Sequence, residues 1–308
     1  MKVPLNIAAV CVAITAGVQV NAAISRHSGS ADALPDERFI HVVSEADSPV
    51  METWIKAKDG LYIAAAVRKP KGDGPFPAIV MFHGAPGGRG MEQLVGWSRG
   101  DHGGPVWERF LQERHVVVVA DYRGGPWNTM NTPSSAGLTT AIDDGVSVID
   151  YVQHLPFVKR TDVSVYGVSL GGNLAIYLAS RVPTLKCVVL GAPAPIWFLG
   201  LHKRPDSPDM LKQPPDAESV RENIPPIRMP VLILVGTEDR LLPISTVLHD
   251  ELAKAGKSVR MEVYEHGYHD FVLGNQGHKR DDLPRGEFLM QGALDALELA
   301  VKFVKSPK

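Results

Sequence analysis

The stretch "DVSVYGVSLGGNLAIYLASRV", residues 162–182, passes from a short apolar run through Gly167-Val168-Ser169-Leu170-Gly171 into a segment whose Leu174, Ile176, Leu178 and Val182 can be placed on a helix. The run reads as a buried strand and the segment after it as a helix. A serine between them, with a glycine two residues to either side, marks a sharp strand-to-helix turn. The glycines allow strand and helix to approach closely, and the serine hydroxyl projects above the sheet from a strained backbone. At the start of a helix, free N–H groups and the helix dipole favour negative charge.

The same five-residue pattern occurs a second time, as Gly96-Trp97-Ser98-Arg99-Gly100 within "LVGWSRGDHGG", residues 94–104, with Asp101 and His102 directly behind it. Here "GMEQLV" before the serine makes no strand, and "DHGGP" after it begins no long helix. Adjacent acid and base do not rescue Ser98, because such partners meet through the fold and seldom through the chain. The stretch is therefore predicted to be a loop on the rim of the site, with Trp97 and either Arg99 or His102 facing substrate.

Working outward from Ser169, further continuous apolar runs recur at "AIVMFH", "VVVVADY", "CVVLGA" and "VLILVG", most of them followed by a helical stretch. Helices are predicted at 105–114, 138–155, 170–182, 243–255 and 286–305. This alternation predicts a mostly parallel central sheet of the α/β class with helices on both faces. Ahead of it, "VMETWIKA" and "LYIAAAVRKP" flank Lys58-Asp59-Gly60 and read as a hairpin. Residues 193–229 are proline-dense and break the rhythm, so they are read as a short insert or cap. No internal repeat and no second folded domain is read.

A serine hydroxyl needs a base, and the base needs a third group to orient it. After "VLILVG" comes "TEDRLLP", with Glu238 and Asp239; after "VRMEVYE" comes "HGYHDF", with His266 and His269. Asp239 is preferred to Glu238 because its spacing leads into a helix near Pro243. His269 is preferred to His266 because it lies deeper in the loop, with Gly267 permitting the turn that points it inward. Of the two donors an oxyanion requires, one is assigned to the Leu170 N–H. The other is assigned to "GAPGGRG" after the first parallel strand: Pro86 has no N–H, which leaves Gly84 and Ala85, and Ala85 is favoured. His83 is read as an anchor of that loop, and the glycine run lacks the Lys and Ser/Thr of a nucleotide cradle.

The 308 residues are 44% hydrophobic and 21% charged, with a net charge of -2, enough for one large domain and without the basic footprint of nucleic-acid binding. "MKVPLNIAAVCVAITAGVQVNAA" reads as a secretory signal peptide over residues 1–22, cleaved near Ala22/Ala23, followed by an irregular leader over 23–48 and the main domain over 49–308. A periplasmic or secreted location and no stable membrane insertion after signal removal follow from it. Cys187, in "KCVVLG", is expected to be a buried small hydrophobe.

In their order along the chain, "HGAPGG", "DYRGG", "GVSLGG", "GTEDRLLP" and "HGYHDF" resemble the α/β-hydrolase superfamily. The likeness is to the branch of dienelactone-hydrolase-like esterases and prolyl-oligopeptidase-type catalytic domains, and it runs from about Glu52 to Phe303. The resemblance implies Ser169 as nucleophile, His269 as base, Asp239 as its orienter, and Leu170 and Ala85 as oxyanion donors. It gives Asp121 and Arg123 of "DYRGG" a structural part. Dienelactone hydrolases use a cysteine where this chain has Ser169, so their substrate is not implied. The expectation is an esterase acting through an acyl-enzyme on a small ester or short peptide-like substrate, with no cofactor and no metal. A serine peptidase or amidase is the alternative, and a non-catalytic binding protein is the third reading. Trp97, Trp127, Trp197 and Phe198 are the candidate substrate contacts.

Overall fold

The computed structural model describes residues 22–27, 43–85, 87–99, 104–123, 135–201, 213–269, 271–273 and 286–308. In chain order the elements are β1 (Ala22–His27), β2 (Val50–Lys56), β3 (Tyr62–Arg68), β4 (Phe76–Phe82), α1 (Met91–Ser98), α2 (Gly104–Gln112), β5 (Val116–Ala120) and α3 (Ser135–Gln153). There follow β6 (Val158–Val168), α4 (Leu170–Arg181), β7 (Val188–Gly191), α5 (Ala217–Asn223), β8 (Val231–Gly236), α6 (Leu242–Lys254), β9 (Val259–Tyr264), a 3-10 turn at Phe271–Leu273 and α7 (Gly286–Lys305).

The strands form one nine-stranded sheet in the order β1-β9-β8-β7-β6-β4-β5-β3-β2, with only the β3 pairings antiparallel. Both faces are covered, which is why the central strands carry apolar residues at successive positions. On one face Val80, Val118, Val165, Leu190 and Ile233 meet α3, α4 and α6. On the other, Ile79, Met81, Val117, Val189 and Leu232 meet α1, α2 and α7. Cys187 lies fully buried in this second layer, its Sγ 3.3 Å from Ser164 Oγ, and burial pushes its thiol up to about 12. The α/β fold expected from the apolar runs is the fold observed.

The chain leaves β4 toward β5 on one side and returns to β6 on the other side of β4. Strand order therefore reverses between β4 and β6, and in open α/β sheets ligands bind outside the C-terminal strand ends at such a reversal. The β2–β3 hairpin closes through the five residues Ala57–Leu61, with Gly60 at φ 89°.

Three elements differ from the sequence reading. Of the stretch 94–104 predicted as loop, residues 94–98 belong to helix α1: Met91, Leu94, Val95 and Ser98 follow a helical spacing, and the last three of these are buried. The insert 193–229 contains α5, whose N-cap Asp216 accepts from Ser219 N at 2.9 Å. Residues 23–27, the start of the segment read as an irregular leader, lie in β1, which with Ala22 pairs in parallel with β9 as an edge strand.

A buried ion pair ties this end of the molecule together. Arg68 of β3 pairs with Glu108 of α2 and donates to the carbonyls of Ser48 at 3.0 Å, Ser98 at 2.7 Å and Val43 at 2.9 Å. Glu108 in turn accepts from Val43 N at 2.7 Å.

Candidate functional site

Ser169 stands between β6 and α4 with φ 54° and ψ -114°. A left-handed φ costs a non-glycine residue about 1–3 kcal/mol, and it persists where the surroundings over-determine it. Here they do. Ser169 N donates to Gly191 O at 2.9 Å, while its carbonyl accepts from Asn173 N at 3.2 Å and Ala194 N at 2.9 Å. The flanking glycines are steric necessities. A Cβ on Gly167 would lie 2.2 Å from Gly171 O, and one on Gly171 would lie 2.1 Å from Phe82 O. Strand, helix and the end of β4 meet without room for side chains, which holds Ser169 at the strand-order reversal.

His269 bridges outward from it. Its Nε2 is 2.9 Å from Ser169 Oγ and its Nδ1 is 3.0 Å from Asp239 Oδ2. The Asp239 carboxylate has no proton to give, so Nδ1 carries the ring hydrogen and Nε2 is left to accept from the serine hydroxyl. Asp239 is buried, and its other oxygen accepts from Leu241 N at 2.9 Å, so its orientation is set from both sides. The β8 and β9 loops that carry Asp239 and His269 lie against each other: a Cβ on Gly236 would come 2.0 Å from Gly267 O.

The turn before His269 is made differently from the expectation. His266, not Gly267, takes the left-handed φ of 61°, and Gly267 serves the close approach to Gly236. The residues passed over in favour of Asp239 and His269 contact each other, with His266 Nδ1 3.2 Å from Glu238 Oε1.

The loop after β4 runs beside the serine. A Cβ on Gly84 would be 3.3 Å from Ser169 Cβ and 3.8 Å from its Oγ, and Ala85 follows, exposed. Leu170 is the first residue of α4, where backbone N–H groups have no intrahelical partner. This loop hangs on one carboxylate. Asp121 accepts from Gly88 N at 2.9 Å, Gly90 N at 3.1 Å and Tyr122 N at 2.8 Å, with His83 Nε2 3.0 Å away. Burial works against its ionised form, yet the His83 ring and the backbone donors prevail and hold its pKa below the ordinary carboxylate value. His83 stacks on Tyr122, ring centroids 4.8 Å apart, and its Nδ1 lies 2.7 Å from Gly84 O. Asp121 as the organiser of this loop was not read from the sequence. The signal available was that His83 and Asp121 each follow directly on an apolar strand.

The rival serine is spent on structure: Ser98 Oγ donates to Val95 O at 2.8 Å, and its carbonyl is held by Arg68. Trp97 is half-buried against His83, 5.1 Å between ring centroids, with the Arg89 guanidinium over the Trp97 ring, 5.7 Å from its centroid. Arg99 pairs with Glu45, and Asp101 and His102 lie outside the described residues. Arg123 pairs with Asp144 of α3 and with Asp59. Among the substrate candidates, Phe198 is corrected. It is 0% exposed and packs edge-on against Tyr177 of α4, because the start of the insert is drawn into the core. Trp197 is half-buried against the same core, and Trp127 lies outside the described residues.

The profile of the dienelactone hydrolase family matches residues 63–282, from β3 through the loop of His269. The chain belongs to the dienelactone hydrolase family. Within known members of this fold, a putative dienelactone hydrolase from Klebsiella pneumoniae is 19% identical, with a TM-score of 0.59 over 84% of this chain and 99% of that one. The acylaminoacyl peptidase of Pyrococcus horikoshii is 15% identical, with a TM-score of 0.58 over 84% of this chain and 41% of that one. At these identities the likeness is one of fold. Among curated proteins, the esterase FrsA of Salmonella typhi is 25% identical over 170 residues, 53% of this chain and 36% of that protein. The chain thus matches about a third of that relative's length, and the family membership, more than any one relative, frames the site.

Proposed function

We propose that this dienelactone-hydrolase-family chain is a serine hydrolase that cleaves carboxylic esters through an acyl-enzyme. The observation that carries the reading is the continuous chain Ser169 Oγ–His269 Nε2, 2.9 Å, and His269 Nδ1–Asp239 Oδ2, 3.0 Å, on a strained turn at the strand-order switch. In this mechanism Ser169 Oγ attacks the ester carbonyl carbon while its proton passes to His269 Nε2. Asp239 keeps the ring oriented and stabilises the imidazolium that forms. The carbonyl oxygen, now anionic, is received by the N–H groups of Leu170 and Ala85. Collapse breaks the ester C–O bond and the alcohol leaves with the proton from His269. Water, deprotonated by the same ring, then releases the acid and restores Ser169.

Support for esters comes from the esterase relatives and from a site built of side chains that need no further reactant than water. The test is turnover of short-chain nitrophenyl esters by the wild type and by Ser169→Ala, with a loss of at least about 10⁴-fold expected. Equal rates in the two proteins would remove Ser169 from the mechanism. Aminoacyl arylamides as parallel substrates decide the competing peptidase reading, since both reactions use the same tetrahedral intermediate. Faster amide than ester cleavage would reverse the assignment.

The reading extends to location: residues 1–22 act as a secretory signal. A cut between Ala22 and Ala23 leaves all of β1 but its first residue, and N-terminal sequencing of exported protein tests it.

A further inference from the structure

The outer edge of β2 ends the sheet, and among the described residues no strand pairs with it. Its exposed groups are ordered. The hairpin bond Ala57 N to Leu61 O, 2.7 Å, and the bond Asp121 N to Ala64 O, 3.0 Å, fix which residues of the β2–β3 ladder turn their backbone toward each neighbour. In an antiparallel ladder these directions alternate. Odd-numbered residues of β2 therefore bond β3, and the N–H and C=O of Glu52, Trp54 and Lys56 point away from the sheet.

The side chains of the same three residues share one face of β2 and are exposed, Trp54 at 59%. Tyr62, which faces Lys56 across the hairpin, is also 59% exposed and lies diagonal to Trp54. An aromatic pair left open beside a row of free backbone donors and acceptors is a template for another strand.

We propose that this edge joins a second copy of the chain, β2 against β2 in antiparallel register about a two-fold axis at Trp54. That register alone satisfies three observations together. Trp54 meets Trp54 of the second copy as a hydrogen-bonded pair, which uses its outward N–H and C=O. Glu52 falls opposite Lys56 and Lys56 opposite Glu52, so both symmetric pairs join opposite charges. All three positions have the outward backbone direction that such pairs require. An edge carrying lysine alone would repel its own copy; Glu52 four residues before Lys56 makes this one self-complementary. Two sheets then run into one, with β4, β5 and β3 between the shared edge and β6, the strand that leads to Ser169.

Sedimentation equilibrium of the full chain across a concentration series tests the pairing. A concentration-dependent dimer is expected for the wild type. Glu52→Lys places lysine opposite lysine at both symmetric positions, and Lys56→Glu places glutamate opposite glutamate. Each is expected to weaken the dimer by about tenfold or more, and the double reversal Glu52→Lys/Lys56→Glu to restore it. Trp54→Pro provides a second line. Its missing N–H lies on the outer edge, so the hairpin ladder is kept, which circular dichroism checks, while the central intermolecular bonds are lost. A wild type that stays monomeric to on the order of 100 µM overturns the proposal, as does a double reversal no tighter than the single ones.

Discussion

At the scale of the residue, the proposed mechanism makes Asp239 a positioning group, which orients the His269 ring and so selects which nitrogen faces Ser169. Asp239→Asn can hold the opposite tautomer, with the Nε2 hydrogen facing the hydroxyl. It is expected to lower kcat by about 10³- to 10⁴-fold with little change in KM, and steady-state kinetics on a nitrophenyl ester read both. His115 makes a prediction about stability. It is buried between α2 and β5, and burial pushes its pKa down to about 4. The folded state therefore favours the neutral ring, while the unfolded chain protonates below about 6.5. The contribution is complete above that value and is lost as pH falls from about 6.5 to about 4, amounting to roughly 3 kcal/mol at most. In His115→Leu the stability measured by urea unfolding should fall less steeply over this window than in the wild type. Parallel curves would show that His115 is not the group responsible.

At the scale of the element, what the sequence made legible depended on where a segment lies in the layers. Each central strand is buried on both faces, so "AIVMFH" and "VLILVG" had no alternative reading. α1 was hidden because it has only eight residues, carries Gly96 in its interior, and starts at Gly90 without a side-chain cap. Its Ser98 completes a second G-x-S-x-G pattern, yet its part is that of the buried C-terminal residue of the helix. β1 was hidden for the opposite reason: an edge strand of composition Ala-Ala-Ile-Ser-Arg-His has no apolar run to announce it. The buried Arg68 was equally silent, since a lone arginine closing a strand usually faces solvent. Its removal should be costly. Arg68→Met leaves Glu108 charged and unpaired in the core and is expected to lose about 3–5 kcal/mol by urea denaturation. Arg68→Met with Glu108→Leu should recover much of that loss, because the remaining charge is gone as well.

At the scale of the whole molecule, the site was legible to the extent that chemistry and strand ends coincide. Ser169, Asp239 and His269 were read from three turns far apart in the chain, and the sheet brings those turns together. The rim was less legible, because whether an aromatic faces a pocket or the core is decided by packing that no local pattern records, as Phe198 shows. The same residue says something about how the molecule moves. Its N–H is bonded to Asn173 Oδ1 on α4 at 3.2 Å and its carbonyl to Asn223 Nδ2 on α5 at 2.9 Å, while Ala194 N is fastened to Ser169 O itself. The start and the α5 end of the insert are thus latched onto the helix that carries the serine. Any displacement of this described part of the insert is therefore passed through hydrogen bonds to the turn and helix that hold the Ser169 hydroxyl.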